Sequence, residues 1–321
     1  MSRLLKRSAL FLTASFATMM FATVLVACNI PVFRYALERW QSDAYQLVVL
    51  HNEELSPEQA SYVQSLEMAS VDNGGSSNIK VSRERVSALM KPELAVRMLM
   101  ANGRTISNWR GSLEAASDVN LLDSPVRKEL VKRLLAGDSV VWLLVRSKDA
   151  EKSNAAKRLL LESFKTLNTK VSLPDGIGLP GSELHSEVPL FVKFSLLEIG
   201  TDDGKEAFLR SWLEGFHPDA IQSGEPLLVP VFGRGRALEV IPANVANPAL
   251  VEDLTMFLSG ACSCQVKEQN PGFDLLLSMD WDTELYGEGG FRPPPVKSVG
   301  EGNRAPRTLA IPPGKRKENA K

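Results

Sequence analysis

The sequence predicts an α/β fold in which one strand–helix–strand–hairpin–helix unit is written twice, behind an apolar N-terminal segment. Three observations predict it. Short runs of buried-strand character alternate with stretches of helical period across residues 43–260. A proline-started last helix closes each half, and its proline and stop glycine are 12 residues apart both times, Pro125 to Gly137 and Pro248 to Gly260. Of 321 residues, 44% are apolar and 23% charged, an ordinary globular balance that excludes a disordered chain, a collagen-like repeat or a multi-span membrane protein.

Residues 1–27 read as a signal peptide or membrane anchor. Arg3, Lys6 and Arg7 precede Ser8–Ala27, a run of 20 residues without a charge. A helix of that length spans about the 30 Å hydrocarbon core. The basic flank holds its own end in the cytoplasm, so the rest of the chain is expected outside the inner membrane, in the cell envelope. Leu25-Val26-Ala27-Cys28 resembles the lipobox of bacterial lipoproteins, and that resemblance implies lipidation of Cys28. Lipoprotein and uncleaved anchor both stay open, and each tethers the chain to the membrane through residues 8–28. Residues 28–42 read as an amphipathic connector, with Phe33, Ala36, Leu37 and Trp40 on one face. It would lie on the membrane interface or pack on the first domain.

The first unit, residues 43–137, opens with the strand Tyr45–Leu50. Ser56-Pro57-Glu58-Gln59 is a capping-box start for a helix with Tyr62, Val63 and Leu66 on one side. After the loop 72–76 comes a strand at Ile79–Val81. Pro92 introduces Leu94–Met100, Asn102-Gly103 turns, and Thr105–Trp109 returns. Ser124-Pro125 starts the last helix. The second unit, residues 138–288, repeats the order: strand Val140–Val145, helix Ala155–Leu167, strand Leu190–Ile199 and short helix Phe208–Phe216. Pro226 then precedes Leu227–Phe232, Gly233-Arg234-Gly235 turns, Ala237–Ile241 pairs back, and Asn247-Pro248 starts the final helix.

This order resembles two thioredoxin-like βαβ-ββα units in tandem, with another two- or three-layer α/β sandwich as the alternative. The resemblance implies that the first two strands of each unit are parallel and that Pro92 and Pro226 are cis. It does not extend to the chemistry. The Cys-x-x-Cys of that family follows the first strand, where this sequence has His51-Asn52-Glu53-Glu54-Leu55 and Arg146-Ser147-Lys148-Asp149. Disulfide exchange needs a thiolate there, so neither unit is expected to catalyse it.

Other candidate sites are few. Cys262-Ser263-Cys264, in a C-terminal extension of the second unit, reads as a tight reducible disulfide, as two soft ligands for Cu(I) or zinc, or as a structural disulfide or buried thiols. Gly176-Ile-Gly178-Leu-Pro-Gly181 matches a dinucleotide pattern, but Pro180 leaves no helix for it, so it is loop punctuation. Gly233-Arg234-Gly235-Arg236 reads as a hairpin tip with two cations. His51, His185 and His217 are too scattered for a metal centre. Trp109, Trp142, Trp212 and Trp281 read as core. No cofactor-binding motif and no nucleophile–base constellation is recognisable.

The charge is segregated. Residues 289–321 hold eight basic and two acidic groups and six prolines, a composition for a disordered, solvated tail that reaches an anionic surface or partner at most. Removing both ends leaves 26 basic and 36 acidic groups on residues 28–288, about −10, which argues against nucleic-acid binding by the folded part. The blocks Cys28-Asn-Ile-Pro-Val-Phe-Arg-Tyr-Ala-Leu-Glu-Arg-Trp40 and Cys262-Ser-Cys-Gln-Val-Lys-Glu-Gln-Asn-Pro-Gly272 resemble exported bacterial proteins of uncharacterised function. The expectation is a membrane-tethered, envelope-facing, non-catalytic accessory protein that binds a protein partner in a membrane complex such as a transporter. The alternative is a thiol-redox or metal-handling protein using Cys262 and Cys264.

Overall fold

A computed structural model describes residues 29–289 except 90 and 101–102, together with Pro293. The expected apolar span, Cys28 and, apart from Gly289 and Pro293, the Pro-rich tail lie outside the described residues. Among these, no helix is long and apolar enough to cross a membrane.

The chain is mixed α/β and forms two sheets. Helix α1 (Val32–Arg39) comes first. The first half then runs β1 (Tyr45–His51), α2 (Pro57–Ala69), β2 (Ile79–Arg85), β3 (Glu93–Leu99), β4 (Thr105–Ser112), α3 (Leu113–Asp118) and α4 (Pro125–Leu135). The second half runs β5 (Val140–Val145), α5 (Ala150–Lys170), β6 (Phe194–Ile199), α6 (Ala207–Glu214), α7 (Pro218–Gln222), β7 (Leu227–Phe232), β8 (Arg236–Ala237), β9 (Ile241–Pro242) and α8 (Pro248–Ser259). The chain closes with α9 (Cys264–Gln269), β10 (Phe273–Asp274) and α10 (Trp281–Tyr286).

The sheet orders are β2-β1-β3-β4 and β10-β8-β7-β5-β6, with β9 also on β7. In each, the first two strands are parallel and the third runs antiparallel to the first: β1 pairs β2 in parallel and β3 antiparallel, and β5 pairs β6 and β7 likewise. A parallel pair needs a crossover, and α2 and α5 supply it. The helix starts are those the caps specify. Ser56 Oγ accepts from the Gln59 N–H (3.3 Å) while the Ser56 N–H donates to Gln59 Oε1 (3.0 Å), a complete capping box. Ser56→Ala should cost about 1 kcal/mol in a urea melt, and Ser56→Gly a few tenths.

Strand periodicity explains the layers. On β5, Val141, Leu143 and Val145 enter one core while Val140, Trp142 and Leu144 enter a second on the opposite face. The second core is closed by α1, α5 and α8 through Tyr35, Leu160, Phe164, Leu254 and Leu258. The first core is shared by both halves: Tyr45 of β1 meets Trp212 of α6 edge-on at 5.1 Å, and Trp109 of β4 meets Phe208 at 6.2 Å. The expected boundary at 137/138 falls between α4 and β5, but this core runs across it. The last segment also returns to the first half, where Asn78 Oδ1 accepts from the Leu277 N–H (2.8 Å) and the Met279 N–H donates to Ser76 O (2.8 Å).

Two expectations need correction. No peptide bond among the described residues is cis, so Pro92 and Pro226 are trans. Each simply leads an extended segment into β3 or β7, its carbonyl accepting from Leu113 (3.3 Å) or Ala243 (2.9 Å), and trans is the favoured isomer by about 0.5–1 kcal/mol. The connector 28–42 is neither an interfacial helix nor packed on the first unit alone. Seven of the eight α1 residues are buried, against β7 and α8 of the second half. Arg34 and Glu38, the residues that make it look amphipathic, are buried as a pair.

Candidate functional site

In an open α/β sheet, ligands gather at the carboxyl ends of parallel strands, where the crossover helices begin. In the first half this end holds His51, whose Nδ1 lies 2.9 Å from Glu53 O, and the exposed Glu53 and Glu54. In the second half it is filled by mutually satisfied charges. Arg146 Nη1 donates to Glu198 Oε2 (2.6 Å) and Nη2 to Asn154 Oδ1 (2.8 Å), while Lys157 pairs with Glu198 at 2.5 Å. Arg210 ties the same corner to Gly200 O and Arg146 O, both at 2.8 Å. Asp149 caps α5 through the Lys152 N–H, and Ser153 Oγ accepts from the Ser147 N–H at 3.0 Å. The Ser147 hydroxyl donates to Asp149 O (3.1 Å) and lies 3.3 Å from Ser153 Oγ.

The cysteine pair separates. Cys262 is buried in the second core and Cys264 is exposed at the start of α9, and neither is in a disulfide with a described residue. This corrects the tight 262–264 bridge. Cys262 belongs to a strand-like clasp, where its N–H donates to Ile30 O (2.9 Å), and Ser263 then turns the chain by capping α9 through the Val266 N–H. No group of three or more His, Cys, Asp or Glu suited to a metal occurs among the described residues.

The Gly233–Arg236 tip is a hairpin turn as expected, with φ of +59° at Gly233 and +86° at Gly235, but it is buried. Both cations reach internal acceptors. Arg234 donates to Leu37 O (2.8 Å) and pairs with Asp282 (3.0 Å). Arg236 pairs with Asp274 (2.5 Å) and Asp43 (3.0 Å) and donates to the carbonyls of Pro271 (2.8 Å), Asn270 (2.8 Å) and Gly272 (3.2 Å). Complete burial raises the Asp274 carboxyl to about 6 against the pull of Arg236. Tyr45 donates its hydroxyl to Asp274 O (2.8 Å), and burial raises that phenol further.

A second network holds α1. Arg34 Nε donates to Glu38 Oε1 (2.9 Å), Nη1 to Val188 O and Nη2 to Ser186 O (2.7 Å each). Glu38 also accepts from the N–H groups of His185 and Ser186, at 3.1 Å. Burial lowers the Arg34 pKa and the adjacent Glu38 opposes that. A third buried cation, Arg127, meets the carbonyls of Leu121 (2.8 Å) and Leu276 (3.2 Å) and lies over the Phe208 ring at 5.6 Å; burial lowers its pKa to about 10.

These networks were not found from the sequence. Arg34…Glu38 has helical i,i+4 spacing, which ordinarily marks a solvated face. Arg234 with Leu37 and Arg236 with Asp43 join residues 197 and 193 apart and leave no local signal.

On the outward face of the first sheet, Val48, Leu50 and Ala95 have Val86 and Leu89 as their apolar cover. The rest of that face carries cross-strand ion pairs, Arg97–Glu84 (3.3 Å) and Arg110–Glu93 (2.5 Å), and Leu99 stands 57% exposed at its rim. Of the tryptophans, Trp142, Trp212 and Trp281 are buried and Trp109 is partly so, consistent with packing roles. Gly176, Gly178 and Gly181 all have positive φ in a loop, without the helix a pyrophosphate would need. No family model matches this chain, and no curated protein matches it.

Proposed function

We propose that this chain is a membrane-tethered, envelope-facing accessory protein that binds another envelope protein and carries out no reaction itself. The tether is residues 8–28, whose uncharged run behind Arg3, Lys6 and Arg7 is the observation that carries the reading. The folded body is two thioredoxin-like units. Their support is the strand order, β2-β1-β3-β4 and β6-β5-β7-β8, with parallel first pairs and an antiparallel third strand. Both units lack the thiol pair at the first crossover, so the scaffold is used for contact instead of exchange. The contact surface is the outward face of the first sheet, where Arg97, Arg110, Glu84 and Glu93 give a patterned polar patch and Leu99 an apolar rim.

Two measurements test this. A phosphatase reporter joined after Trp40 should be active, because it folds only outside the cytoplasm; activity confined to a cytosolic reporter would overturn the tether and the compartment together. Pull-down from native membranes should recover a partner that Arg97→Glu with Arg110→Glu releases without changing the thermal melt. Recovery of no partner, or one indifferent to that double substitution, would remove the contact surface.

A further inference from the structure

We propose that two copies of this chain join edge to edge along β2, with the two strands antiparallel about a two-fold axis at Ser82. β2 ends the sheet order β2-β1-β3-β4, and among the described residues no strand pairs with its far side. The Asn78 carbonyl accepts from the Tyr45 N–H (2.8 Å) and the Val86 N–H donates to His51 O (2.8 Å), both toward β1. The register with β1 is unbroken from Ile79 to Arg85, so Lys80, Ser82 and Glu84 also turn their backbone groups to β1. Val81, Arg83 and Arg85 turn theirs outward. Ile79 does too, but its N–H donates to Ser77 O (2.7 Å) and its carbonyl accepts from Ser70 Oγ (2.7 Å). Ser70 also bridges Ser77, so the segment around it covers the first part of the edge and leaves residues 81–85 open.

Charge on an edge strand ordinarily discourages such pairing. Here it selects one register. With Ser82 on the axis, Val81 stands opposite Arg83 of the partner subunit and Arg83 opposite its Val81, two hydrogen-bonded pairs that use the outward groups. On the other face the exposed Lys80 meets Glu84 of the partner subunit, and by symmetry the same contact is made twice. Arg85 falls opposite Ile79, where the ladder closes. Moving the axis to Arg83 sets two guanidinium groups against each other, and moving it to Glu84 does the same with two carboxylates. Moving it to Val81 runs the strand into Ile79, whose groups are taken, and an axis between residues would set outward groups against inward ones. Nor is the edge a bare stripe of positive charge. Lys80 pairs with Asp72 (3.2 Å), Arg83 with Glu67 (2.9 Å) and Glu84 with Arg97 (3.3 Å) in the same chain.

The contact uses the same patch on both copies, so it closes at two and does not propagate. The four strands of the first sheet become a continuous sheet through both subunits, and the axis, normal to that sheet, presents both polar outward faces to the same side. The assembly follows from the sheet edge alone; neither the tether nor the compartment enters it.

The test uses the full-length chain in detergent at micromolar concentration, with its mass read by light scattering and sedimentation. A dimer is expected. Lys80→Glu and Glu84→Lys should each raise its dissociation constant about tenfold, because two opposite-charge contacts become like-charge ones. Mixed together, the two variants should regain wild-type affinity as a heterodimer, since both contacts between positions 80 and 84 are again of opposite sign. The pairs these changes break within the chain are exposed and contribute little to folding, so both variants should melt near the wild type. Ser82→Cys should bridge to its own copy in oxidised glutathione, because directly opposed residues outside a hydrogen-bonded pair have Cα atoms about 4.5 Å apart, within reach of a disulfide. A monomer throughout, a dimer indifferent to both charge reversals, or thiols introduced at position 82 that do not bridge to each other would each overturn this assembly.

Discussion

Arg236→Ala should destabilise the fold by ~3–5 kcal/mol, the cost of leaving a buried carboxylate without its partner. Arg236 is 2% exposed and serves five acceptors, two carboxylates and three carbonyls, drawn from the segments around Asp43 and residues 270–274. It therefore joins the start of β1 to the β8–β10 edge of the other sheet. Alanine leaves Asp274 in the core with its backbone partner, the Asp43 N–H (2.8 Å), and no cation. The effect carries a pH signature. Asp274 has a folded pKa of about 6, above its unfolded value near 3.9, because burial penalises the charged form. The native state thus binds more protons than the unfolded state between these values. The contribution of Asp274 to stability is full below about pH 4 and is lost as pH rises through 6. Without Arg236 the folded pKa climbs further, so the variant should be less impaired at pH 5 than at pH 8. Urea midpoints at both values check this, and equal losses would show that Asp274 does not titrate in the folded chain. Asp274→Asn should flatten the wild-type slope across the same interval.

The same residues show what sequence reasoning reaches. β1, β5 and β7 are legible because each is a continuous apolar run, and α2, α4 and α8 because a capping side chain and a proline mark their first turn. α3, α9 and α10 have six residues each, too few for a helical period to emerge, and they exist because a serine or aspartate caps them against a packed neighbour. The short β10 is invisible for a different reason: Phe273 and Asp274 become a strand only by pairing with Ala237 and Arg236. Charge misleads most. Arg34 and Glu38 look like a solvated i,i+4 pair until their bonds to residues 185–188 are known, and Arg234 and Arg236 until their acceptors near residues 37–43 are known. At the cysteines, the Cys-x-Cys spacing is plain, but that one thiol is buried and the other exposed depends on the clasp with Ile30, 232 residues earlier.

Glu38→Ala should cost a comparable ~3–5 kcal/mol, and its first consequence should be local. The substitution strands the Arg34 guanidinium, 1% exposed, and removes the acceptor for the His185 and Ser186 N–H groups. The groups that lose their partners join α1 to the loop ahead of β6, whereas the ladder of β5 with β6 and β7 is untouched. Amide exchange should therefore accelerate first at residues 30–40 and 183–188, with β5 and β7 still protected. Docking of α1 against the Gly233 turn gives the region its second hold: a Cβ on Gly233 would lie 2.6 Å from the Ala36 Cβ, so Gly233→Ala should loosen the same amides while leaving the ion pair in place. Charge and shape are separated by Arg34→Met combined with Glu38→Leu, which removes both charges and keeps the buried volume. That double variant should recover much of the stability lost by Glu38→Ala. If it is as unstable as the single variant, the pair is needed for its hydrogen bonds to residues 185–188 and not for mutual neutralisation. If Glu38→Ala melts with the wild type and shows wild-type exchange at residues 30–40, the network does not hold α1.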